Sequence, residues 1–241
     1  MKLPILCSQC MVEDATLARA IAAVEIRNDG RYEVICSKGH KSVTILQQQK
    51  FEVLFDIGAN AILDAYYREA VSSFTSSLER FYEFVIMAVL FDKGISEEAF
   101  NQAWELVERQ SPRQLGAFIF IYLTEFGIPP ILLARKKVDF RDEVIHQGRI
   151  PTRQEALDYG QAILDIVRPI LKQVKEKYPN GVNKTVFQHL KECRSTENDK
   201  CQVSTMFIRT ILSLAVAEPG YDERSLEGSL ADLRQWRLNP A

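Results

Sequence analysis

Histidine is scarce in this chain, with three residues in 241. Cysteine is sparse as well, at five. The apolar run in "MKLPILCSQC" is too short for a secretory signal, so none is expected to accompany these cysteines. The expected setting is therefore a reducing cytoplasm, where Cys serves as metal ligand or ordinary core more often than as a disulfide partner. Positive charge is not in excess either. The formal net charge is -2, so no global basic field draws in polyanions, and nucleic-acid contact needs a local patch. No uninterrupted apolar run approaches the roughly 18 residues of a membrane span, which removes the membrane as an expected partner. Internal repeats and low-complexity tracts are also missing. What remains is a globular balance, 46% hydrophobic and 26% charged, enough for one large domain or two unequal ones.

The pattern changes character near residue 47. Before it, "AAVEI" and "RYEVIC" flank Asn28-Asp29-Gly30, a tight-turn signal, and "KSVTIL" supplies a third alternating strand. After it the pattern is helical. Tyr67, Val71, Phe74, Leu78, Phe81, Val85 and Ala88 step by four and three, which is a bundle seam. They predict part of one long helix from about Gln48 to Gly94. Ser96 starts another helix, and Pro112 opens a third, "RQLGAFIFIYLTEFG", apolar on most sides as a buried helix would be. A helix follows to Gln147, with Gly148 placed to end it in the left-handed conformation. Thr152 and Glu155 form a capping box for the next, which contains Pro169. Further helices are expected at 183–193, 202–217 and 222–236. The expected fold class is mainly α, a helical bundle preceded by a small three-stranded β module. The expected divisions are 1–46, 47–178 and a C-terminal helical extension, 179–241, packing on the bundle.

Cys7-Ser8-Gln9-Cys10 and Cys36-Ser37-Lys38-Gly39-His40 give C-x2-C and C-x3-H. Thiolates and imidazole suit zinc, and four such ligands close a tetrahedral structural site of the zinc-ribbon kind. A module of about 45 residues has too little core to be stable alone, so a metal would supply folding free energy. A closed site has no open position, and no catalysis is assigned to it. His189 and Cys193 lie four apart on an expected helix, with Cys201 beyond. No fourth ligand accompanies them, so a satisfied surface or core role is expected.

The stretch "FRDEVIHQGRIPT" places Arg141 and His146 five residues apart before a helix stop. Arg135, Lys136, Lys137, Arg141, Arg149 and Arg153 outnumber Asp139, Asp142 and Glu143 around it, making a local phosphate-attracting patch. At about 100° per residue, Arg141 and His146 sit roughly 140° apart around a helix. They share a cleft only if it wraps the helix end, or if a second copy completes it. Asp142 shares a face with His146 and is expected to accept an imidazole N–H, setting the tautomer. Phe140 and Val144 are expected to anchor the helix in the core.

Arg141-Asp142-x-x-x-His146 resembles the R-(Asn/Asp/His)-x-x-x-His signature of HEPN domains. The following "GRIPTRQEALDYG" and the preceding "SLERFYEF" are similar to that superfamily too. The resemblance implies an all-helical bundle that dimerises and brings two motifs into one cleft. Many members are metal-independent endoribonucleases acting as toxins or in phage defence, while others are binding or scaffold domains. The expected chemistry is RNA cleavage by 2′-OH transesterification. His146 would act as base or acid, Arg141 would clamp the phosphate and Asp142 would tune His146. Arg135, Lys136, Lys137, Arg149 and Arg153 would bind RNA, and no cofactor takes part in the reaction. The expected partners are RNA, a second copy of the chain and an antitoxin or regulatory protein. Two rival functions are a catalytically inactive RNA- or protein-binding adaptor, and a zinc-ribbon regulator that contacts DNA.

Overall fold

The computed structural model describes residues 1–13, 20–194, 202–218, 221 and 223–238. Two compact units account for the chain. One comprises Met1–Gln49 with Val186–Arg209, the other Lys50–Thr185 with Thr210–Ala241. The expected extension from residue 179 is thus shared between them. The chain is mainly helical with a small β module, as its hydrophobic periodicities predict. No helix among the described residues is long and apolar enough to cross a membrane.

In the first unit, β1 (Lys2–Leu6) leads into α1 (Ser8–Glu13), then β2 (Ala20–Glu25), β3 (Arg31–Ile35) and β4 (Lys41–Leu46). The three expected strands form, but not as one meander. β2 pairs antiparallel with β1, while β3 pairs antiparallel with β4. "KLPIL" supplies the unexpected partner: Leu3 and Ile5 alternate inward, and both are buried. Around Asn28 the chain turns without continuing a ladder. There Asp29 binds the Arg27 side chain, and the Arg27 N–H donates to the Tyr32 hydroxyl.

The expected helix at 202–217 does not form. Gln202–Met206 is instead a strand, β5, parallel to β4, and only Leu214–Ala217 turns as a short 3-10 segment. Val203 and Thr205 are β-branched, and β4 offered an open edge. α8 (Pro179–Cys193) includes His189, whose Nε2 lies 2.9 Å from the Leu46 carbonyl oxygen. Cys193 is buried against Val43 and Ile45, a core role of the kind expected. Cys201 lies outside the described residues.

The second unit is the bundle. It contains α2 (Lys50–Leu63), α3 (Tyr67–Asp92), α4 (Glu97–Trp104), α5 (Ser111–Phe126), α6 (Arg135–His146), α7 (Arg153–Lys177) and α9 (Leu226–Leu238). The single long helix expected from Gln48 to Gly94 is broken at Ala65, whose φ of 62° is left-handed. The break lets α2 fold back antiparallel on α3. Phe55 then stacks near Phe74 at 4.7 Å, and Phe51 near Phe84 at 5.1 Å. Gly58 fits flat against the Phe74 ring, where a Cβ would sit 2.6 Å away. The seam from Val71 to Ala88 is buried as expected. α5 departs from expectation: Phe118 and Tyr122 are buried, but Phe120 is 70% exposed.

Close backbone approach also fixes the start of α8 against α3. A Cβ on Gly181 would lie 1.9 Å from the Ala88 carbonyl oxygen, and the Gly181 N–H donates to Asp92 Oδ1 at 2.9 Å. A backbone atom cannot rotate away. Gly181→Ala is therefore expected to destabilise the helical unit by about 2–4 kcal/mol in denaturant melts. A change within about 0.5 kcal/mol would show that the crossing is looser than described.

A polar stripe missing from the sequence reading runs along α2. Glu52, Asp56 and Asn60 recur every four residues and are all buried. Asp56 accepts the Ile211 N–H at 2.9 Å, and Glu52 accepts the Leu214 N–H at 2.8 Å. Arg168 on α7 donates to the carbonyls of Ile211, Glu223 and Arg224. Together these groups hold the returning segment through its backbone. Burial pushes the Asp56 carboxyl up to about 7; the Ile211 bond opposes this and the Glu52 charge adds to it. Unfolded, the same carboxyl titrates near pH 4. The native state therefore holds an extra proton between about pH 4 and 7, so stability is highest below that window and falls as pH rises through it. The expected loss from pH 4 to pH 8 is on the order of 2–4 kcal/mol. Asp56→Asn should flatten this slope, and an unchanged slope in urea titrations across that range would contradict the assignment.

Candidate metal centre and candidate nuclease motif

Two short turns build the metal centre. Cys7 immediately precedes α1 and Cys10 lies one turn on. The Cys10 N–H points at Cys7 Sγ at 3.4 Å, and the Met11 N–H donates to the Cys7 carbonyl at 3.0 Å. The second turn closes the hairpin between β3 and β4. There the Gly39 N–H donates to the Cys36 carbonyl, and the Cys36 N–H to the His40 carbonyl. Gly39 has φ 82°, a backbone state that favours glycine.

These turns bring all four expected ligand atoms, from Cys7, Cys10, Cys36 and His40, within 4.8 Å of one another. Cys10 Sγ is 3.8 Å from Cys36 Sγ, and His40 Nδ1 is 3.4 Å from Cys10 Sγ and 3.8 Å from Cys7 Sγ. A tetrahedral ion with metal–sulfur bonds of about 2.3 Å and a metal–nitrogen bond of about 2.0 Å separates its ligands by about 3.8 Å (S to S) and about 3.5 Å (S to N). The edges match, so the residues fit a metal such as zinc.

The electrostatics fit as well. Burial, then the neighbouring Cys7 and Cys36, push the Cys10 thiol up to about 11. Burial also works against the Cys36 thiolate, but the backbone N–H groups of His40 and Lys38 outweigh it and lower its pKa. A divalent cation among the sulfurs would reverse the first effect and reinforce the second. On the outer side, His40 Nε2 lies 3.4 Å from Glu13 Oε1, and Glu13 Oε2 lies 3.2 Å from Lys38 Nζ. Sequence spacing gave no sign of Glu13, which matches no ligand motif.

On α6, Val144 is fully buried and Phe140 packs on the core, 5.8 Å from the Tyr159 ring, so both anchor as expected. That rotation sets the rest of the motif. Arg141 is turned partly inward, its side chain 27% exposed. Its charge favours the ionised forms of Tyr82 and Tyr159. Burial outweighs this at both hydroxyls, and Tyr159 is pushed up to about 12. His146 lies on the last turn, exposed, and no hydrogen bond or ion pair reaches it among the described residues. Asp142 is not its partner. Asp142 Oδ1 sits 2.8 Å from Arg141 Nε, an ion contact without the alignment of a hydrogen bond. The adjacent guanidinium holds the carboxylate that spacing alone assigned to the imidazole.

Gly148 takes the left-handed φ of 75°, and the Gln147 and Arg149 N–H groups both return to the Glu143 carbonyl. The capping box of Thr152 and Glu155 is present. Of the five basic residues expected to bind RNA, three are held by acids. Arg135 pairs with Asp139 at 2.8 Å, and Arg153 with both oxygens of Glu227 at 2.8 and 3.2 Å. Arg149 pairs with Glu143 and Glu155 while its guanidinium lies 5.0 Å from the Phe140 ring centroid. Lys136 is exposed and Lys137 half-buried, and neither has an acidic partner among the described residues. The count of charges over 135–153 omitted Glu155 and Glu227, which the fold brings in from α7 and α9.

In comparisons with protein-family models, with curated proteins and with solved structures, nothing matches this chain.

Proposed function

We propose that the chain is a HEPN-like endoribonuclease whose N-terminal module is braced by a structural zinc ion. The observation that carries the reading is the arrangement on α6. Arg141 is partly buried, with Asp142 against its Nε, while His146 stands exposed and unpartnered on the last turn. A guanidinium oriented in this way clamps a phosphodiester through its remaining N–H donors and stabilises the charge that develops on the phosphoryl oxygens. Neutral His146 takes the proton from the ribose 2′-OH. The 2′ oxygen then attacks phosphorus, the bond from phosphorus to the 5′ oxygen breaks, and the protonated His146 returns the proton to the leaving 5′ oxygen, giving a 2′,3′-cyclic phosphate and a 5′-hydroxyl. Because the two side chains lie roughly 140° apart on their helix, the motif of a second copy completes the cleft. Asp142 orients Arg141 in this scheme, and Lys136 and Lys137 are the cations open to RNA. The zinc ion, held by Cys7, Cys10, Cys36 and His40, supplies folding free energy to its module. On this reading the activity belongs to a reducing cytoplasm, in toxin or phage-defence biology under the control of an antitoxin or regulatory protein.

The test is incubation of purified protein with RNA in strong chelator, followed by analysis of the new ends. Cyclic-phosphate and 5′-hydroxyl ends are expected, with DNA uncut because it lacks the nucleophile. RNA that is bound but never cut would favour the adaptor instead. Duplex-DNA binding that disappears with the metal would favour the regulator.

A further inference from the structure

We infer that Glu13 is a fifth functional residue of the metal centre, an outer carboxylate that fixes which nitrogen of His40 meets the ion. The inference rests on the metal reading above. His40 presents Nδ1 to the sulfurs of Cys10 and Cys7, at 3.4 and 3.8 Å, and Nε2 to Glu13 Oε1, at 3.4 Å. An imidazole that binds a metal through Nδ1 carries its proton on Nε2, and that N–H needs an acceptor. A carboxylate in that place selects the tautomer, holds the ring plane and makes the ligand more basic. Glu13 is in turn held by Lys38, at 3.2 Å from its other oxygen. Lys38 belongs to the same turn as Cys36 and His40, and Glu13 to the same helical turn as Cys10. The ion pair therefore joins the two ligand-bearing turns on the side of the cluster away from the sulfurs. Glu13 and Lys38 are each about half-exposed, with side chains 42% and 46% accessible. Their direct pairing energy is small, so the effect should fall on the metal rather than on the fold.

The experiment is competition for zinc against a chromogenic chelator, using the full chain and its Glu13→Ala and Glu13→Gln variants. Glu13→Ala should weaken zinc binding by about 10- to 100-fold, because the Nε2–H then loses its acceptor. Glu13→Gln keeps an acceptor oxygen and should recover most of that loss. A second readout needs no variant: the nitrogen-15 resonances of His40 in the zinc-loaded protein should report metal on Nδ1 and a proton on Nε2. Zinc affinity of Glu13→Ala within about twofold of the parent, or coordination through Nε2, overturns the inference while leaving the metal reading standing. A parent chain that binds no zinc overturns both.

Discussion

Stripping metal from the proposed zinc centre, or replacing Cys36 with Ser, is expected to unfold the β module while the helical unit keeps its structure. The reason is the content of the two interiors. Around the four candidate ligands the buried cluster is three cysteines, Cys7, Cys10 and Cys36, and the other buried apolar side chains described in this unit are Leu3, Ile5, Tyr32, Val34, Val43, Ile45, Leu46 and Cys193. The helical unit buries a continuous aromatic and aliphatic core from Phe51 to Leu230. A structural zinc ion contributes on the order of 10 kcal/mol to the folding of small modules, comparable with the gross burial of so few apolar side chains, which the entropy of ordering the module largely cancels. Hydrogen exchange should show amide protection lost from Lys2–Leu6, Arg31–Ile35 and Lys41–Leu46, and retained across Tyr67–Asp92. Equal protection of the three strands with and without metal would mean that the four ligands are only a buried thiol cluster.

The second large effect concerns the motif on α6. Arg141→Ala is expected to lower RNA cleavage by about 10²- to 10³-fold, through loss of charge stabilisation at phosphorus. His146→Ala should cost about 10²- to 10⁴-fold through loss of proton transfer. The stability of the two variants should differ in a telling way. His146 is exposed and unpartnered, so its replacement should leave the melting temperature within about 2 °C of the parent. Asp142→Asn is expected to act through Arg141, weakening substrate binding more than turnover. Cleavage unchanged in both alanine variants would assign the activity to another site or to a contaminant.

The legible part of this molecule was local. C-x2-C and C-x3-H each sit on a single turn, and turns are set by nearby residues, so the four candidate ligands that the fold brings together could be read directly. The capping box at Thr152 and the left-handed stop at Gly148 belong to the same class. Illegible parts depended on partners far along the chain. Gln202–Met206 reads as the start of an apolar helix until β4 offers it an edge. Ala65 gives no sign of a break, because the reversal there is driven by the packing of Phe51 and Phe55 on the next helix and not by a turn residue. Glu52 and Asp56 look like surface charges at helical spacing. Only the returning segment at Ile211 and Leu214, more than 150 residues later, shows why they are buried. The ion pairing within the charge patch was illegible for the same reason, since Glu227 reaches Arg153 from α9.

The central claim is that two copies supply one cleft, and mixing inactive variants tests it most directly. Arg141→Ala protein retains the imidazole, and His146→Ala protein retains the guanidinium. Mixed in equal amounts and allowed to exchange subunits, they should recover roughly a quarter of parental RNA cleavage, because half of the dimers are mixed and each of those holds one complete pair. A mixture that stays as inactive as its components, in a preparation shown by mass spectrometry to contain mixed dimers, would contradict the shared cleft.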